Sequence, residues 1–247
     1  MYTDAHLHLK DYVMISGNEP IIGENDYICA SAHKSDEFIW QENFALKYPG
    51  QVLLSFGIHP QNPDNSEFSF LEDLVRSKRI SAIGESGFDL YSKEFSLKAK
   101  SQELVWNIQL DLAIKAQLPL VIHCRKALHL LFADSKRLSL LPAVVFHGWS
   151  GSAVEAQSFL SRNVQAFFCV GKALLRGDRS LLETIKNIPM SQILTETDAP
   201  YMTLKGESFS MPSDIVAVSK EAALIAGYSV EGFCFNVKEN FKRAFSM

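Results

Sequence analysis

Cysteine is scarce and scattered in this chain. Cys29, Cys124, Cys169 and Cys234 form no CxxC pair, a pattern that argues against a disulfide framework or a zinc site of clustered thiolates and suits reduced thiols in a cytosol. Long hydrophobic runs are missing too: no stretch of about 18 consecutive apolar residues occurs, and the opening MYTDAHLHLK lacks a basic segment followed by an apolar one, so neither a membrane span nor an export signal is expected. The expectation is a soluble, cytoplasmic protein without membrane association. Cations are in the minority, 24 Lys and Arg against 28 Asp and Glu, giving a net charge of −4 and a pI near 6.0. That balance offers no overall attraction for nucleic acid, so any phosphate binding has to be local. No repeat, low-complexity tract or linker interrupts the chain, and no obligate protein partner is expected.

What is present is ordinary globular material, 247 residues that are 47% hydrophobic and 21% charged, and residues 1–247 read as a single domain. Short apolar runs alternate with longer amphipathic stretches. The runs are YTDAHLHL, DYICAS, VLLSFGIHP, ISAIGESGF, PLVIHCR, AVVFHGWS, VQAFFCVG and QILTETDAP, eight candidate strands. The segment from Ser96 to Ala116 predicts the longest helix, with Leu104, Ile108, Leu112 and Ala116 on one stripe. The first crossover holds Gly17, Pro20 and Gly23 and has room only for a shortened first helix. Pro212 to Phe245 reads as two extra C-terminal helices parted by Gly227. Strands alternating with helices favour a parallel α/β sheet, and at this length a (β/α)8 TIM barrel leads over a doubly wound open sheet.

In TDAHLHL the alternation of a strand places Asp4, His6 and His8 on one face. His59 ends SFGIHP, Glu85 ends SAIGES, His123 ends LVIHC, His147 ends VVFHG and Asp198 ends LTETD. Barrel active sites gather at the C-terminal ends of the strands, so these residues are expected at one mouth. Lone histidines are usually satisfied core or surface residues, and His33 and His129 are assigned to that class. An isolated Glu and Asp in apolar surroundings are costly to ionise unless a cation or strong donors meet them, and a metal site accounts for both. Imidazole and carboxylate without thiolate suit Zn, Mn, Fe, Ni or Mg. The donors exceed the needs of one ion: His6, His8 and Asp198 for one, His123 and His147 for another, with Glu85 between them. Two such divalent ions would polarise a water and a phosphoryl or carbonyl oxygen, and hydrolysis is the expected reaction class.

Taken in order, these segments resemble the TatD-type metal-dependent deoxyribonucleases of the amidohydrolase superfamily. The resemblance lies in DAHLHL (Asp4–Leu9), GIHP (Gly57–Pro60), IGESGFD (Ile83–Asp89), LPLVIHCR (Leu118–Arg125), FHGWSGS (Phe146–Ser152) and TETDAPY (Thr195–Tyr201). It implies a barrel with two metal ions that acts as a nuclease or exonuclease on DNA, with His6, His8, Glu85, His123, His147 and Asp198 as ligands. Superfamily branches that bridge their metals with a carboxylated lysine are disfavoured, because Ile80–Leu90 contains no lysine. The chain departs from the family in four places. Its first helix is curtailed, Arg125-Lys126 stands where Arg-Asp is usual, and MTLKGESFSMPSD follows TDAPY where a basic loop with Arg-Asn-x-Pro is usual. Trp149 stands where Phe is usual.

Asp198 is the expected general base, since a carboxylate bound through one oxygen keeps the other free to take a proton. His59 is expected to bind phosphate or protonate the leaving oxygen, with capping of the loop at Pro60 as its structural alternative. Arg125 would clamp a phosphate, with pairing to a local carboxylate as its structural alternative. Trp149 would either offer a face to a base or serve as packing, and Glu196, on the same strand face as Asp198, would hold a ligand histidine from behind. The leading function is removal of nucleotides from single-stranded or frayed DNA ends. Hydrolysis of an amide, ester or lactone at the same metals is the alternative, and a non-catalytic binding protein on the barrel ranks third.

Overall fold

The apolar runs become eight parallel strands in the computed structural model, which describes all residues Met1–Met247. They are β1 (Thr3–Leu7), β2 (Tyr27–Ala32), β3 (Val52–Phe56), β4 (Ala82–Asp89), β5 (Leu120–Arg125), β6 (Val144–Phe146), β7 (Ala166–Val170) and β8 (Ile193–Thr195), hydrogen-bonded in sequence order. The last strand then meets the first. Thr195 Oγ1 donates to Thr3 O (2.7 Å), His8 N to Ala199 O (2.7 Å) and Asp198 N to His6 O (3.0 Å), which nearly closes the sheet into a (β/α)8 barrel. Both faces of such a sheet are covered, which is why the strands read as continuous apolar runs. Leu7, Cys29, Phe56, Ile83, Val121, Phe146 and Phe168 all lie in one core.

The strand register slips at two places, β1 against β2 between Asp4 and Leu7, and β4 against β5 between Ile83 and Ser86. The slips bracket His6 and Glu85, and irregularities of this kind re-aim a side chain. In β4 the slip depends on glycine. Gly84 and Gly87 both stand at φ +139°, and a Cβ would lie 2.4 Å from Val121 O at the first and 2.1 Å from His123 O at the second. Only glycine lets β4 approach β5 this closely on either side of Glu85.

The crossovers carry α1 (Leu9–Ser16), α2 (Ser35–Ala45), α3 (Phe68–Arg76), α4 (Lys93–Leu97), α5 (Ala99–Ala116), α6 (Leu128–Ala133), α7 (Ser135–Leu138), α8 (Ala153–Ser161) and α9 (Arg179–Asn187), and α10 (Ile215–Ala226) and α11 (Val230–Ala244) follow β8. The first helix is short, about two turns, and ends at Gly17 in the left-handed region. Gly227 parts the last two helices in the same way. The long helix differs from expectation in its buried face. Leu104 is 56% exposed, and the helix instead buries Gln102, Val105, Trp106, Gln109, Leu110 and Ala113. The two glutamines explain the rotation. Gln102 accepts from Asp89 N and donates to Asp89 O, and Gln109 accepts from Ile58 N and donates to Ile58 O. Each splices a strand-end peptide onto the helix, so a polar side chain occupies the core-facing row. No helix is long and apolar enough to cross a membrane.

Candidate active site

Glu85 is the centre of the barrel mouth. It is 2% exposed, and the mirrored glycines on either side turn its carboxylate inward. Oε2 lies 3.1 Å from His6 Nε2, 3.3 Å from His8 Nε2 and 3.4 Å from His33 Nε2. Oε1 lies 3.0 Å from His123 Nδ1, 3.4 Å from His59 Nε2 and 3.6 Å from His147 Nε2. Asp198 faces the same space, with Oδ1 3.8 Å from His6 Nε2 and 3.6 Å from His8 Nε2, and Oδ2 3.9 Å from His147 Nε2. Its backbone is held in the left-handed region at φ 56°, stabilised by the Asp198 N–His6 O bond.

The donor set suits a divalent metal. His6 Nε2 and His8 Nε2 approach to 3.3 Å of each other while both face carboxylate oxygens, and the Nδ1 atoms of both rings are buried without a hydrogen-bond partner. Protons alone satisfy the convergence of Nε2 and carboxylate lone pairs poorly, whereas a cation shared among these imidazole and carboxylate donors satisfies it. Three of the candidate metal-holding groups are His6-Glu85-His147, His6-His8-Asp198 and His59-Glu85-His123.

Electrostatics in the cluster override burial at Glu85, His8 and His147, while burial prevails at His6, His59 and Asp198. Burial pushes the Glu85 carboxyl up, but the imidazoles packed around it, His6, His59 and His147 foremost, hold it well below the usual carboxylate range. Burial also pulls His8 and His147 down, yet their facing carboxylates, Glu85 for the first and Glu196 for the second, raise them to about 9 and about 10. Burial, helped by the charge of His147, takes His6 well below its ordinary value, and burial takes His59 down to about 4. Asp198 is pushed up to about 6 by burial, against the pull of His147 and His8.

Two carboxylates stand behind the ring of imidazoles. Glu196 is fully buried, with Oε2 2.9 Å from His147 Nδ1 and Oε1 accepting from Gly148 N (2.8 Å). Asp89, to which the sequence reading gave no role, lies with Oδ2 3.0 Å from His123 Nε2. Asp4 shares β1 with His6, and His8 directly follows that strand, but Asp4 does not join them at the mouth. It accepts from Thr197 Oγ1 (2.5 Å), Thr197 N (3.0 Å) and His6 N (3.2 Å) and so braces the segment leading to Asp198.

His33 corrects its earlier assignment. Its Nδ1 donates to Gly57 O (3.2 Å), which leaves Nε2 aimed at Glu85. It directly follows β2, so the strand-end rule that singled out the other histidines applied to it as well. His59 has the opposite arrangement, Nδ1 accepting from Gln61 N (3.2 Å) and Nε2 facing the mouth. His129 is on the exterior. Trp149 is the packing aromatic of its two alternatives. It is 4% exposed, its Nε1 donates to Thr184 Oγ1 (3.2 Å) and its ring lies against Phe146 and Phe168, so it has no face free for a base. Arg125 is exposed at the end of β5.

Fold and site together define a (β/α)8-barrel protein with a histidine and carboxylate centre able to hold divalent metal. The chain belongs to the TatD family, whose description, TatD related DNase, matches residues 3–246. The 3'-5' ssDNA/RNA exonuclease TatD of Yersinia pseudotuberculosis is 32% identical over 173 residues, 68% of this chain and 65% of that protein. The match therefore spans just under two thirds of the Yersinia protein's length. An uncharacterized metal-dependent hydrolase of Mycoplasma genitalium is 30% identical over 217 residues, 82% of each chain. The crystal structure of YjjV, a TatD homologue from Escherichia coli, has the same fold, with a TM-score of 0.82 at 21% identity over 100% of this chain and 98% of that one.

Proposed function

We propose that this protein is a two-metal nuclease that removes nucleotides from single-stranded or frayed DNA ends, with residues 1–247 acting as one catalytic domain. The observation that carries the reading is the Glu85 carboxylate, whose two oxygens are met by imidazoles from the ends of five other strands. His6, His8 and Asp198 would hold one cation, His123 and His147 the other, and Glu85 both; Zn, Mn, Mg, Ni and Fe all suit these donors. Divalent cations bound here supply the positive charge that helps ionise an attacking water and draws electron density from a phosphoryl oxygen. Asp198 takes the water's proton on Oδ2, the oxygen that does not face His6 and His8. His59, whose Nδ1 accepts from Gln61 N, presents an Nε2–H that donates to a phosphoryl or leaving oxygen. Asp89 and Glu196 keep His123 and His147 from rotating. Arg125 clamps a phosphate at the rim.

The experiment is degradation of linear and closed-circular single-stranded DNA by purified protein in Mn or Mg, before and after chelation, beside single-stranded RNA and a panel of lactones and amides. Linear DNA should be trimmed and the circle spared. Asp198→Asn should lower turnover by roughly 10²–10⁴-fold or more, the contribution of a general base together with damage to the metal centre. Equal cleavage of the circle would remove the end-trimming reading, and activity that survives exhaustive chelation would remove the metals. Hydrolysis confined to lactones or amides would select the other reaction class.

A further inference from the structure

Tyr91 and Lys126 take no part in the mechanism above, yet both adjoin it. Tyr91 N donates to Asp89 Oδ1 (2.9 Å), the carboxylate whose other oxygen lies against His123. Arg125 is in register with Asp89 across β4 and β5, and Leu90 N donates to its carbonyl (2.9 Å). The backbone thus places all three residues immediately beside a metal-ligand histidine. The guanidinium carbon of Arg125 and the ammonium nitrogen of Lys126 each lie 4.5 Å from the centroid of the Tyr91 ring. Tyr91 is 57% exposed, and Lys126 sits in the left-handed region at φ 56°, a conformation uncommon for lysine. Neither cation is paired with a carboxylate. The Asp89 carboxylate, in register with Arg125, is already occupied by Tyr91 N, Gln61 Nε2 and His123.

A single cation over an exposed ring is common and needs no function. Two unpaired cations on one ring, at the rim of a metal centre in a chain of net charge −4, make an anion-binding wall where the chain as a whole has no attraction for phosphate. We propose that Tyr91, Arg125 and Lys126 form a strand-holding subsite that takes the phosphate and base of a nucleotide adjacent to the one being cleaved. The subsite rests on the nuclease reading given above. Arg125 offers its N–H fork to phosphate and its planar face to a base, while Lys126 adds a point charge. Tyr91 holds both heads in place before substrate arrives, so less side-chain freedom is lost on binding.

The test compares a thymidine octamer with thymidine 5'-p-nitrophenyl phosphate, a one-nucleotide reporter too short to reach the subsite. The ratio of kcat/KM for the octamer to that for the reporter should fall about tenfold in Lys126→Ala and in Tyr91→Leu, through KM for the octamer, consistent with the loss of one phosphate contact or one stacking surface. Tyr91→Phe keeps the ring and should retain the ratio. The dependence of log KM for the octamer on log salt should become shallower by about 0.7 in Lys126→Ala. A ratio and slope equal to wild type in both variants overturn the subsite while leaving the nuclease intact. Equal losses on both substrates overturn it in favour of a role in supporting Asp89. Wild-type protein that neither cleaves nor binds the octamer overturns the nuclease reading and the subsite with it.

Discussion

Asp89 Oδ2 lies 3.0 Å from His123 Nε2 while the other nitrogen of that ring lies 3.0 Å from Glu85 Oε1, so one imidazole is strung between two buried carboxylates. The outer carboxylate fixes which nitrogen carries the proton and therefore which one faces the centre. Asp89→Ala should weaken divalent-metal binding about 10–100-fold, the usual cost of losing such a partner. Asp89→Asn, which can still accept from Nε2–H, should fall between that variant and wild type. Calorimetric titration of Mn or Zn into chelator-treated protein measures this directly. Affinity unchanged in the alanine variant would mean that His123 is oriented by packing alone.

The barrel and the ring of strand-end histidines were legible because both are local signals. An apolar run identifies a strand, and the residue that ends it identifies the mouth. The partners behind the ring were less legible. Asp89 lies within the IGESGFD segment, but only the pairing of β4 with β5 reveals that it faces His123. His33 was readable by the strand-end rule and was set aside because it stood alone in sequence. Asp4 follows the alternation of β1 yet turns to Thr197, 193 residues away, a contact that no periodicity encodes.

The long helix shows the same limit and supplies a stability test. Leu104 fits an apolar stripe but is exposed, whereas Gln109 breaks it and is buried, because its amide completes both hydrogen bonds of Ile58. Gln109→Leu leaves that peptide unpaired in the core and should cost about 1–3 kcal/mol for each orphaned group. Leu104→Gln, on the solvent side, should stay within about 0.5 kcal/mol of wild type. Urea unfolding of the two variants decides the orientation of α5, and the reverse ranking would contradict it.

Trp149 separates packing from recognition. Its ring fills the space between Phe146 and Phe168 and closes over Gly151, where a Cβ would come within 2.4 Å of the indole. Trp149→Ala should destabilise by about 3–5 kcal/mol. Trp149→Phe keeps most of the volume and loses the bond to Thr184, for roughly 1 kcal/mol. Neither folded variant should change KM for an oligonucleotide, and a large rise in KM with unaltered stability would restore the base-stacking role.

Lys172 is fully buried and donates to Asp214 Oδ2 (2.5 Å), Glu207 Oε2 (2.6 Å) and Ser210 Oγ (3.0 Å). It ties the turn after β7 to the loop that follows Tyr201, whose ring lies beside His8. The hydrogen bond from Lys172, helped by one from Leu204 N, holds Glu207 below its ordinary value of 4.5. A carboxylate whose folded pKa is depressed contributes stability above its unfolded pKa and loses it as pH falls through the folded value. Glu207→Gln should therefore be less stable than wild type at neutral pH, and the gap should shrink as pH drops through and below about 4.5. Asp214 remains on Lys172 in that variant, so the ammonium is not stranded and the protein should still fold. Urea midpoints for both proteins at several pH values read the effect, and a gap independent of pH would show that the loop is held by packing and not by the ion pair.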